Sequence, residues 1–99
     1  MKEDLLKIIN HYGIENQLKY IHSEYFELDE AIVDFWHEEC SYYEEVENYH
    51  KKHIAEEIAD IMVMLKQFQY LYEIEDKQIE EIMKYKIDRQ LKRIDEENI

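Results

Sequence analysis

Apolar residues recur along this chain at intervals of three and four, the period of a helix surface rather than of a strand. In residues 2–12 the pattern puts Leu5, Leu6, Ile9 and Tyr12 on a short helix, and Gly13 follows as a stop signal. A second helix is predicted from about Ile14 to about Trp36. Its stripe is Ile14, Leu18, Ile21, Tyr25, Leu28, Ile32 and Phe35. Residues 37–47, HEECSYYEEVE, break the pattern and are expected to hold a turn. Ser41 followed by Glu44 has capping-box spacing there. The third helix carries the clearest stripe, Ile54, Ile58, Ile61, Leu65, Phe68 and Tyr72. A break near Glu73 to Asp76 follows, with Asp76 as N-cap. The fourth helix runs to about Ile94, with Ile79, Ile82, Met83, Ile87, Gln90 and Ile94 expected to face inward. Connections this short favour antiparallel neighbours, so the expectation is an all-α, antiparallel four-helix bundle forming one domain over residues 1–99.

Composition supports that reading. One Gly and no Pro among 99 residues leave little turn chemistry for hairpins. At 45% hydrophobic residues the chain is too apolar for disorder. A formal net charge of −13 argues against nucleic acid and anionic membranes as partners, because both need a basic footprint. No apolar run approaches the ~20 residues of a membrane-spanning helix. The start, MKEDLLKIIN, lacks the layout of a signal peptide, and the single Cys40 permits no internal disulfide; both fit a cytoplasmic location.

The third helix poses a chemical question. Glu57 and Asp60 lie among its core-type residues, and a buried carboxylate needs a partner. At 100° per residue Glu57 lies about 60° from the stripe centre and Asp60 about 120°, on the side shared by Met64 and Leu71. On the second helix Glu24 lies about 70° from its stripe, in line with Gln17 and Ala31. Glu27 is further round and Glu30 points away. Antiparallel packing would set the two acidic pairs face to face. Such a cluster persists only with cations or bound protons. Magnesium, a hard ion that prefers oxygen, suits it, and manganese is a possible substitute. With a quarter of the residues acidic, chance alone also produces such spacings on solvated helix faces.

Glu24-x-x-Glu27 followed by Glu57-x-x-Asp60 resembles the ExxE…ExxD signature of the MazG-like, all-α nucleoside triphosphate pyrophosphohydrolases. YGIENQLKYIHSEYFELDEAI resembles that family's second-helix segment, with a Gln ahead of ExxEL. EEIADIMVML resembles its ExxD segment, and KYKIDRQLKRI its later basic helix. The three occur in the family's order over nearly the whole chain. The stretch between Glu27 and Glu57 is long for the family, and Ser23 stands where an extra acid is frequent. The resemblance implies a MazG-type bundle completed by dimerisation, as a homodimer or a dimer of dimers. It also implies cleavage of (deoxy)nucleoside triphosphates between the α and β phosphates. Glu24, Glu27, Glu57 and Asp60 would hold the metal, and a glutamate of the first pair, Glu24 or Glu27, would act as base. Gln17, Lys86, Arg89 and Arg93 would contact the substrate, with Trp36 and Tyr25 as candidates near the nucleobase.

Other signals are thinner. His37-x-x-Cys40 and His50-x-x-His53 offer zinc-type ligands but match no finger spacing. No glycine-rich phosphate loop exists. A rival of another class is a non-enzymatic acidic helical protein that imitates the DNA backbone. It would depend on total charge rather than on four particular acids.

Overall fold

The computed structural model describes residues 1–38 and 43–98. They form four helices and, among the described residues, no strand: α1 (Lys2–Tyr12), α2 (Ile14–His37), α3 (Glu44–Leu71) and α4 (Asp76–Glu97). The predicted boundaries agree closely with these. α2 ends and α3 begins inside 37–47, as expected, whereas Ser41 of the capping-box spacing lies outside the described residues.

Gly13 is the whole connection between α1 and α2. Its φ of 88° and ψ of 154° belong to a region essentially restricted to glycine. Its N–H closes α1 on the Ile9 carbonyl at 2.8 Å, and its own carbonyl accepts from Gln17 N–H at 3.1 Å. That reversal lets Leu5 and Ile9 of α1 bury against the pair α2 and α3.

α2 and α3 run antiparallel, as successive contacts establish. Gln17 meets Gln67, Glu24 and Glu27 meet Glu57 and Asp60, and Phe35 meets His50. The buried positions recur at seven-residue steps, Gln17, Glu24 and Ala31 on α2 and His50, Glu57 and Met64 on α3. This is the seam expected of near-antiparallel helices. It differs from the stripes read in the sequence. Ile58 and Leu65 of α3 and Tyr72 at its C-cap are exposed, as are Ile14, Leu18 and Tyr25 of α2. The most hydrophobic line of each helix therefore flanks the seam instead of forming it.

α4 corrects the expectation most. Among the described residues its expected inward stripe packs along no other helix: no α4 residue is buried, and of the stripe only Ile79 is half-buried. The radius of gyration, 17.4 Å, reflects this, against about 13 Å for a closed globule of 100 residues. Asp76 is the first residue of α4, not its cap; the N-cap is Glu75, without a side-chain bond. The Asp76 carboxylate instead accepts hydrogen bonds from α3, from Lys66 Nζ at 2.8 Å and Gln69 Nε2 at 2.7 Å, with Tyr70 Oη at 3.3 Å. α3 itself ends in a Schellman turn. Ile74 N–H reaches the Gln69 carbonyl and Glu73 N–H the Tyr70 carbonyl, with Glu73 at φ 57°.

Candidate metal centre

Seven-residue spacing along the seam aligns Glu24 with Gln17 and Ala31, and Glu57 with His50 and Met64. Both glutamates consequently enter the buried interface. Glu24 is 6% exposed and Glu57 9%. Glu27 and Asp60, one turn further along, stand at the solvent edge of the same spot. One carboxylate oxygen from each of the four residues lies within 4.8 Å of the others. This is the one group of three or more potential metal-ligating side chains among the described residues.

The electrostatics of the four acids are unbalanced. Burial, then the charges of Glu27, Asp60 and Glu57, push Glu24 up from 4.5 to about 7. Glu57 is also raised, first by burial and then by Glu27 and Asp60, with His53 opposing in part. His53 Nε2 approaches Glu57 Oε1 at 3.4 Å and is, among the described residues, the one basic side chain paired with the cluster. The second oxygens, Glu24 Oε2 and Glu57 Oε2, are buried with no hydrogen-bond partner. A buried acceptor left without a partner is costly. The donor set is all carboxylate oxygen, partly buried and partly open to water, which suits a hard divalent cation that keeps water ligands. The described cluster is therefore able to chelate a divalent ion.

The remaining sequence candidates divide. Gln17 sits on the seam, buried, seven residues before Glu24, with Nε2 donating to Gln67 Oε1 at 2.8 Å. Lys86, Arg89 and Arg93 lie exposed on α4, which packs along neither α2 nor α3 and meets α3 only through Asp76 at its start. The structure does not bring them to the acids within one chain. Arg89 rests over the Tyr85 ring of its own helix at 5.9 Å. Tyr25 and Trp36 are exposed on α2, and Glu30 lies outside the cluster on the exposed side. The zinc alternative gains nothing: His50 pairs with Glu38 at 3.2 Å and rests on Phe35, and neither it nor His53 joins a metal-type group among the described residues. Cys40 lies outside those residues.

Two participants were missed in the sequence. His53 had a readable signal, its position four residues before Glu57 on the same helix face. Gln67 had a weaker one, ten residues beyond Glu57, where only the antiparallel register pairs it with Gln17.

Comparison with protein-family models, curated proteins and solved structures found no match to this chain. What fold and site define is thus a class: a four-helix all-α protein whose central helix pair carries a four-carboxylate cluster able to hold a divalent cation.

Proposed function

We propose that this protein is a magnesium-dependent pyrophosphohydrolase of the MazG-like type, which cleaves (deoxy)nucleoside triphosphates to the monophosphate and pyrophosphate. The observation that carries the reading is the pair of buried, partnerless carboxylate oxygens, Glu24 Oε2 and Glu57 Oε2, inside a cluster of four acids. The order of the three sequence segments supports it independently. Glu24, Glu27, Glu57 and Asp60 would hold the ion, which when bound offsets the phosphates' negative charge and lowers the pKa of coordinated water. Within the first pair, Glu27 faces solvent, which favours it over buried Glu24 as the acceptor of a proton from attacking water. His53 steadies Glu57.

Phosphate contacts by Lys86, Arg89 and Arg93 belong to the same proposal and require a second copy of the chain, because α4 does not reach the acids of its own copy. A homodimer, or a dimer of dimers, would also cover the exposed apolar residues Ile58, Met62 and Leu65 on α3 and Ile82, Ile87 and Leu91 on α4. The DNA-mimic alternative is disfavoured by the site itself. A charge mimic needs its acids in solvent, and Glu24 and Glu57 are buried.

The test is pyrophosphate release from a panel of ribo- and deoxynucleoside triphosphates, with magnesium, with manganese and with chelator. Divalent-dependent release that falls roughly 100-fold or more in Glu57→Gln is expected. Release that is absent with every nucleotide, or undiminished in the variant, would end the reading.

A further inference from the structure

Beside the acid cluster, along the same seam, α1, α2 and α3 enclose a groove of about 540 Å3. That lies within the range of small-molecule sites. Three of its properties bear on what it takes. Its walls include the exposed rings of Tyr12 and Tyr20, one from the end of α1 and one from α2. It is also lined by Gln17 and Gln67, buried to 6% and 1% exposure and hydrogen-bonded to each other. Finally, none of its lining residues is acidic, although a quarter of the chain is; its charged member is Lys19.

The carboxamides have a definite balance. Gln17 Nε2 donates to Gln67 Oε1, and Gln67 Nε2 donates to the Val63 carbonyl at 3.3 Å and lies 3.6 Å from Met64 Sδ. Gln17 Oε1 accepts no hydrogen bond from any described residue. The groove thus offers an open neutral acceptor between aromatic walls. That suits a flat heteroaromatic ring bearing N–H groups, stacked on tyrosine. The groove is also connected to the acids. Ser23 lines it and is bonded in sequence to Glu24, while Gln17 and Met64 stand seven residues from Glu24 and Glu57. Seven helical residues span about 10 Å. A nucleotide bridges such a distance between the far edge of its base and its phosphates.

We infer that this groove is the nucleoside subsite: Tyr12 and Tyr20 stack the base, Gln17 and Gln67 read its edge, and the phosphates extend along the seam to the acid cluster. The inference rests on the nucleotide reading proposed above, and its test separates the two. Unphosphorylated nucleosides and nucleoside monophosphates are titrated into the full chain without divalent ion, following amide and side-chain NMR shifts. Shifts are expected at Tyr12, Gln17, Tyr20 and Gln67, with bases ranked differently in Gln67→Leu. Tyr20→Ala should weaken binding about tenfold, while Tyr72→Ala, outside the groove, leaves it unchanged. Tyr20 is exposed, so that variant tests the groove even if Gln67→Leu fails to fold.

Shifts confined to other surfaces, or none at all, overturn the subsite. So do groove shifts that follow protein concentration instead of nucleoside, since a second copy would then be the occupant. Pyrophosphate release with no groove binding would sink the subsite alone. Groove binding with no release from any triphosphate would sink the reaction and leave a nucleoside-binding groove.

Discussion

Two carboxylate sites that α3 shares with its neighbours, one with α4 and one with α2, show opposite chemistry. At the α3–α4 junction, Asp76 meets Lys66, Gln69 and Tyr70, and hydrogen bonds from Lys66 and then Gln69 hold its carboxyl below the usual range. At the α2–α3 seam, Glu24 and Glu57 meet Glu27, Asp60 and burial, and both are pushed up. The junction is complete as it stands. The seam has acceptors and almost no donors, so it asks for protons or a cation. An acid cluster is informative through what it lacks, not through how many acids it gathers.

Removing one acid from each site should separate them most sharply. In the wild type, magnesium at about 100 times its Kd should stabilise the fold by about 2.7 kcal/mol. Glu24→Gln should lose that stabilisation, and Asp76→Asn should keep it, as read by melting with and without the ion. Equal responses from the two variants would erase the distinction.

Proton linkage gives the next effect. Folded Glu24 keeps its proton to about pH 7, whereas in the unfolded chain it ionises near 4.5. The folded state then binds the extra proton between those values. Metal-free stability should therefore fall as pH rises from about 4.5 to about 7, and level off above. Asp76, held low, contributes in the other sense: its share is present above its ordinary value of 3.8 and lost as pH falls below that. Saturating magnesium should flatten the first slope and leave the second. Denaturant titrations across pH 2 to 8, with and without the ion, measure both.

The turns that hold the two regions differ as well. Gly13 sets α1 against the seam at a conformation closed to other residues, although open space surrounds it. Gly13→Ala should cost about 1–3 kcal/mol from backbone strain alone. Glu73 occupies a left-handed position where glycine is preferred, so Glu73→Gly should stabilise the junction by about 1 kcal/mol. Thermal melting of the two variants orders them.

Much of the fold was readable because helix punctuation is local. Gly13, the polar stretch after Trp36 and the break after Tyr72 are marked by residue type, and the helices end there. The packing face was less readable. Hydrophobic periodicity selects the greasiest line, Ile54 to Tyr72, but the chain buries the adjacent line through Glu57 and Met64. A single copy has only three packed helices and cannot cover every apolar stripe. The sequence does carry the clue, in Glu24 sharing a line with Gln17 and Ala31. A glutamate lined up with alanine on a seam position is costly unless a ligand is meant to meet it. The position of α4 was illegible because it packs along no other helix of the described chain and none of its residues is buried, so its stripe carries no packing information.

The most direct measurement is binding of Mn2+ to the metal-free protein, followed by its paramagnetic signal, in wild type and in Glu57→Gln. Saturable binding by the wild type is expected, competed by Mg2+ and weakened at least about tenfold in the variant. Binding that is absent, or that titrates weakly with total charge and is unaffected by Glu57→Gln, would contradict the claim that the four acids form a cation site.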